Sequence, residues 1–157
     1  MLEVRGVTKL YSGIPAVRDI SFIVRPGEIT GYLGPNGSGK STTMKMLTGL
    51  IEPSDGAIFF EGEAIQRDPL QYKQCFGYVP EEPHLYSHLS GLEYLTMVAG
   101  LRNLALKIAR EKINGLLRLF SLHADRHLPI SAYSKGMRQK ILLSAALLHN
   151  PKLLFLD

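Results

Sequence analysis

The sequence predicts an α/β domain that carries a helical insert, and three observations lead there. The first third alternates short apolar runs with turns. Four glycines (Gly31, Gly34, Gly37 and Gly39) then fall within nine residues, between an apolar run and a helix-forming stretch. A long helical block follows, and one further helix and strand close the chain. Strands, a helical block, then helix and strand again is the pattern of a layered α/β fold with an insertion.

Each element has a local cause. Alternation through Val17–Val24 predicts a strand leading into the turn Pro26-Gly27-Glu28. Ile29–Leu33 reads as a short buried strand. After Lys40, the residues Met44, Leu47 and Ile51 recur at helical spacing. Glu52-Pro53-Ser54-Asp55-Gly56 is a turn, Ala57–Phe60 a strand, and Phe76–Val79 another strand ending at Pro80. From about Leu92 to Leu122 the chain is mostly helical. There Ile113, Leu116, Leu117 and Phe120 form one stripe, and Lys107, Arg110 and Lys112 a solvated polar face. A third helix fits Lys135–His149, stopped by Asn150-Pro151, and Leu153–Leu156 reads as a final buried strand.

Composition sets the bounds. The chain has 157 residues, 18 Lys+Arg against 14 Asp+Glu, a formal charge of +4, and 45% apolar residues. That length fits one domain with a real core, and the spread of apolar residues excludes disorder. No apolar run approaches the ~20 residues needed to cross a bilayer. The start, Met1-Leu2-Glu3-Val4-Arg5, shows no signal peptide pattern. The single Cys75 excludes an internal disulfide, suits a reducing compartment and reads as a small buried residue. A charge of +4 is too small to indicate nucleic acid as a partner. His84 and His88 are four apart, as are His123 and His127, but neither pair sits in an H-E-x-x-H pattern, so all four read as non-ligands. The chain stops at Asp157 directly after Leu153-Leu154-Phe155-Leu156. Natural termini are usually polar and frayed, so this ending reads as a cut.

The chemistry concentrates in Gly34-Pro35-Asn36-Gly37-Ser38-Gly39-Lys40-Ser41, which matches G-x-x-x-x-G-K-[ST]. Glycines let successive backbone N–H groups turn inward as an anion nest, and the helix beginning near Gly39 adds the positive end of its dipole. Lys40 can reach the β- and γ-phosphates, and the Ser41 hydroxyl can ligate Mg²⁺. The segment is therefore read as a nucleoside triphosphate site in a P-loop NTPase core.

Beyond this loop the whole chain resembles the ATP-binding subunits of ABC transporters. Lys9-Leu10-Tyr11 with Ala16-Val17-Arg18-Asp19-Ile20-Ser21-Phe22 is similar to the family's opening, which implies that Tyr11 stacks on adenine; the alternative is a surface or strand aromatic. Tyr133-Ser134-Lys135-Gly136-Met137-Arg138-Gln139-Lys140 sits where the family has its LSGGQ signature. It departs at Tyr133, Lys135 and Met137 but keeps Ser134 and Gly136. Ser134 is also a good N-cap before a helix, a second anion-binding helix start. Lys152–Asp157 resembles the Walker B strand, which implies that Asp157 holds Mg²⁺. The implied nucleotide set is Tyr11, Gly34, Asn36, Gly37, Ser38, Gly39, Lys40, Ser41, Thr42, Ser134 and Gly136, with Ser41, Asp157 and Glu81 on the metal. Lys40 and Glu81 are the candidate catalytic groups.

Glu81 stands where the family normally has a glutamine that touches Mg²⁺ and the attacking water. A carboxylate can ligate the metal but lacks the amide's N–H donor. The residue is otherwise an exposed charged loop residue. The resemblance also implies a general-base glutamate immediately after the Walker B aspartate, beyond Asp157, and a next strand between the phosphate-loop strand and the Walker B strand. Residues 1–157 are thus expected to form an incomplete domain, poorly stable and without turnover on its own. Its parts are a β-rich P-loop core (1–80), a connecting loop and helical subdomain (81–132), and the signature helix with the Walker B strand (133–157).

The implied task is that of an ATPase motor subunit on the cytoplasmic face of a membrane. It closes head-to-tail with a second ATP-binding subunit around ATP and Mg²⁺ and docks a separate permease near Pro80–Tyr86. Val79-Pro80-Glu81-Glu82-Pro83 and the signature look most like export systems paired with ABC-2 type permeases. A soluble ABC ATPase of translation, repair or iron–sulphur assembly is the alternative. The span from Lys40 to Ser134 has no sustained heptads, which argues against the chromosome-type members. No N-K-x-D motif appears, which argues against a GTPase switch.

Overall fold

In the computed structural model, which describes residues 1–82 and 84–157, the alternation of the first third becomes an antiparallel sheet. Strands β1 (Leu2–Tyr11), β2 (Ile14–Val24), β3 (Asp55–Phe60) and β4 (Glu63–Ala64) pair in the order β2-β1-β3-β4. Val4 faces Phe22 on one side and Ile58 on the other, so β1 is central. Leu2, Val4, Val7, Val17, Ile58 and Phe60 are buried, while Glu3 and Arg5 pair with each other on the opposite face. The register slips between Val4 and Val7, where Gly6 takes positive φ, and again between Val7 and Lys9, where Asp19 does. Ser21 Oγ accepts from the Gly6 N–H at 2.8 Å and Thr8 Oγ1 from the Asp19 N–H at 2.9 Å, so the slips leave neither donor unpaired.

Helix α1 (Lys40–Leu47) belongs to the same unit, Met1–Lys73, and buries Thr43, Met46 and Leu47. Its end is a Schellman motif: Gly49 (φ 64°) donates to Met46 O and Leu50 to Lys45 O. The Tyr72 hydroxyl donates to Leu47 O at 2.6 Å, and its ring meets Phe60. Tyr72 lies in α2 (Pro69–Cys75), a helix that sequence periodicity did not reveal.

The second unit, Gln74–Asp157, holds the parallel pair β5 (Phe76–Val79) and β6 (Leu153–Leu156), with Phe76 opposite Leu153 and Val79 opposite Leu156. Helices α3 (Gly91–Leu101), α4 (Leu106–Leu119) and α5 (Lys135–Leu147) surround a core of Leu95, Ile113, Leu117, Leu122, Ile130 and Ile141. A capping box starts α3: Ser90 Oγ accepts from the Glu93 N–H, and the Glu93 carboxylate accepts from the Ser90 N–H. Both α3 and α4 end in Schellman motifs with positive φ at Asn103 and Ser121.

Four expectations change. Ile29–Leu33 forms no strand, and Ile29 and Leu33 are fully exposed. No strand among the described residues pairs with this segment, and an apolar run cannot become a strand without a ladder partner. β6 forms, but only Phe155 is buried; Leu154 and Leu156, two apart and so on one face of the strand, are exposed. The block from Leu92 to Leu122 is two helices, broken at Asn103. Lys112 is half-buried, and its ammonium donates to Leu148 O at 3.2 Å, binding a carbonyl at the end of α5.

Candidate functional site

The phosphate loop, Gly34 to Ser41, follows the turn at Arg25–Glu28 and the segment Ile29–Leu33 and runs into the start of α1. That turn closes as the sequence requires: Glu28 donates to Arg25 O, with Gly27 at φ 80° behind Pro26. Residues 34–38 are exposed. The Ser38 N–H donates to Pro35 O, and Gly37 and Gly39 adopt left-handed φ of 81° and 88°. Gly39 is the N-cap of α1, without a side-chain cap. A Cβ there would lie 2.5 Å from Ala16 O and 2.8 Å from Val17 Cγ2, so strand β2 admits only glycine at this point.

Lys40 folds back over its own loop. Its ammonium donates to Gly34 O at 2.7 Å and Pro35 O at 2.8 Å, closing the loop into a ring. Among the described residues, the N–H groups of Gly37, Gly39, Lys40, Ser41 and Thr42 donate to no acceptor. Free donors on a glycine-rich turn, a helix N-terminus and a fixed ammonium are the chemistry that holds a polyphosphate. Ser41 is exposed on the first turn, while Thr43 is buried with its hydroxyl 3.4 Å from that of Tyr32.

Tyr11 lies at the tip of the β1–β2 hairpin. Ser12 and Gly13 both have positive φ, as a type I′ turn requires, and Tyr11 pairs with Ile14 across it. The ring is 48% exposed, with Lys9 Nζ 5.6 Å from its centroid. That exposure leaves a face open for stacking.

The remaining candidates belong to the second unit. Asp157 follows β6 and Glu81 follows β5, so the parallel pairing carries both carboxylates at the C-terminal ends of adjacent strands, where α/β sheets place their ligands. Asp157 is anchored twice: its N–H donates to Val79 O at 2.9 Å, and its Oδ2 accepts from the Tyr78 hydroxyl at 3.1 Å. Burial pushes the Tyr78 hydroxyl above its ordinary pKa, and donation to Asp157 adds to the rise. Sequence reasoning missed Tyr78; only its place in β5, within reach of a carboxylate ending the paired strand, could have signalled it. Glu81 is exposed, and Pro83, in the segment read as the permease dock, lies outside the described residues.

Ser134 caps α5, its Oγ accepting from the Met137 N–H at 3.2 Å, and Gly136 is exposed in the first turn. Two neighbours brace this start. Arg138 donates to Ile130 O and Ser131 O, and buried Tyr133 donates to Asp125 O at 2.8 Å. The phosphate loop and Tyr11 thus belong to the first unit, and Glu81, Ser134, Gly136 and Asp157 to the second.

Comparison with known proteins finds relatives along the whole chain. The chain is 40% identical over its whole length to the uncharacterized ABC transporter ATP-binding protein YxlF of Bacillus subtilis, covering 52% of that protein. It is 36% identical to the linearmycin resistance ATP-binding protein LnrL of the same organism, covering 50% of it. A solved structure, an ATP-binding subunit of an ABC transporter, superimposes with a TM-score of 0.91 at 36% identity over all of this chain and 65% of that one. The chain therefore spans about half the length of the curated relatives it matches. No helix among the described residues is long and apolar enough to cross a membrane. The ABC transporter family model matches residues 17–157, and the chain belongs to that family, among its ATP-binding subunits.

Proposed function

We propose that this chain is the nucleotide-binding part of an ATPase motor subunit, which couples ATP-driven pairing of two subunits, and then hydrolysis, to transport by a separate permease. The observation that carries this reading is the phosphate loop, a ring of exposed donors closed by Lys40 at the start of α1. Lys40 exchanges its two carbonyl partners for phosphate oxygens, so the ammonium is already near its working position. Tyr11 offers a face for the adenine. Ser134 and Gly136 offer the anion-binding start of α5 to nucleotide held by the second subunit.

Mg²⁺, when bound, neutralises phosphate charge. The Ser41 hydroxyl and the Asp157 carboxylate are the hard oxygen donors that would hold it, with Glu81 as a further carboxylate on the metal side. Glu81 brings negative charge and no N–H donor, so it serves the metal better than it orients water. The segment Pro80–Tyr86 is the proposed dock for the permease, at the cytoplasmic face. An export role is supported by the Glu81 loop, the form of the signature and the resistance function named for LnrL.

Two measurements on the full-length protein test the reading. Lys40→Ala removes a charged donor, and ATP affinity should fall about 10- to 100-fold, the range for a charge-assisted hydrogen bond. Unchanged binding of a fluorescent ATP analogue would sink the phosphate-loop assignment. Co-purification with a membrane protein is expected, and a soluble partner alone would overturn the transporter role.

A further inference from the structure

The Asp157 carboxylate is the only candidate metal ligand in the second unit with a side-chain partner among the described residues, and that partner is Tyr78. The pairing is built by the sheet. Tyr78 stands opposite Phe155 and Val79 opposite Leu156, so the step beyond β6 brings Asp157 back across to β5. There its N–H is taken by Val79 O at 2.9 Å and its Oδ2 by the Tyr78 hydroxyl at 3.1 Å. The two partners are consecutive residues of one strand, and Asp157 is separated from Tyr78 by 79 positions of sequence. With main chain and carboxylate both tied to β5, neither the residue nor its carboxyl plane turns freely. One oxygen is spoken for, and Oδ1 is left for a cation or its water.

We infer that Tyr78 is a positioning residue: by donating to Oδ2 it fixes the Asp157 carboxylate and leaves Oδ1 free to ligate a metal ion or its water. The inference rests on the reading of Asp157 as the metal-side carboxylate. A ligating carboxylate held by an outer hydrogen bond loses metal affinity when that partner is removed, typically 10- to 100-fold. Here the strand still holds the Asp157 main chain, so the lower end of that range, about tenfold, is expected.

The test uses full-length protein with a non-hydrolysable ATP analogue and Mn²⁺ as the probe, its free concentration followed by electron paramagnetic resonance. Tyr78→Phe keeps the ring and removes only the hydroxyl. Its Mn²⁺ affinity should fall about tenfold, its metal-free nucleotide affinity should not change, and raised Mg²⁺ should restore turnover. A defect in packing alone would leave the metal titration where it is and lower the melting temperature instead. Asp157→Asn separates the two layers of the argument. If Asp157→Asn weakens Mn²⁺ binding and Tyr78→Phe does not, the Tyr78 role is overturned and the metal role of Asp157 stands. If neither variant changes Mn²⁺ binding, both fall.

Discussion

Replacing Gly39 by alanine probes the point where the fold and the phosphate loop depend on one atom. Two costs arise. At φ 88° any side chain sits in the left-handed region, which costs roughly 1–2 kcal/mol. The new Cβ would also lie 2.5 Å from Ala16 O and 2.8 Å from Val17 Cγ2. Val17 could rotate, but the Ala16 carbonyl is main chain of β2, whose next residue, Val17, is paired with Lys9, and such overpacking costs about 1–3 kcal/mol. Gly37→Ala is the matched control: its φ is 81°, and nothing lies within 4 Å of its would-be Cβ. Both variants carry the conformational cost, and only Gly39→Ala carries the collision. At about 3 °C per kcal/mol for a domain of this size, Gly39→Ala should melt roughly 6 °C below Gly37→Ala without nucleotide. Circular dichroism melts of the two full-length variants measure the difference. Equal melting temperatures would refute the close approach of β2 to the loop.

Three further outcomes follow from the second unit. A Cβ on Gly91 would lie 2.5 Å from the Tyr133 hydroxyl, so Gly91→Ala should destabilise, and adding Tyr133→Phe should recover part of the loss; additive melting shifts would refute the contact. Hydrogen bonds from the Ser90 main chain and hydroxyl hold the Glu93 carboxyl below its ordinary 4.5. A depressed carboxylate stabilises above the unfolded pKa, so the support it gives α3 should fade as pH falls below about 4.5, seen as faster amide exchange in the first turn; Glu93→Gln should flatten that dependence. Burial lowers the His149 pKa, with the charges of Arg102 and Lys112 adding to it against the Phe76 carbonyl, which Nε2 approaches at 3.0 Å. A histidine kept neutral stabilises above the unfolded value of 6.5, so stability should drop as pH falls from there through the folded pKa, and His149→Gln should remove that slope from pH-dependent melts.

The elements legible in the sequence were those whose cause is local. The strand ending at Val24, the helix from Lys40 and the cap at Ser134 each announce themselves within a few residues. The missed features depend on distant partners or on unusual end residues. Asn103 and Ser121 close their helices in the left-handed conformation that glycine takes most readily, so the break between α3 and α4 was hidden. Lys112 sits among other basic residues on α4 and looked solvated, yet Leu148 O is its partner from 36 positions away. Ile29–Leu33 shows the limit in the other direction. Its composition is that of a strand, but strand formation is a property of pairs, and composition says nothing about whether a neighbour is present.

The candidate site divides along the same line. Gly34 to Ser41 is one contiguous segment, so a spacing pattern captures nearly all of its geometry, down to the positive φ of Gly37 and Gly39. The signature region is less transparent, because Tyr133 looked like a simple departure from the leucine of LSGGQ. Structurally Tyr133 is an anchor. The ring is buried, its hydroxyl binds Asp125 O, and the room for that hydroxyl exists because residue 91 has no side chain. Gly91 opens α3 and Tyr133 immediately precedes the cap of α5, so the substitution ties the starts of two helices together. A leucine at position 133 would fill the space without the hydrogen bond, and the Ser134 cap would lose an anchor at its neighbouring residue. The Tyr133 hydroxyl bond and the space at Gly91 therefore help fix the helix start that carries Ser134 and Gly136.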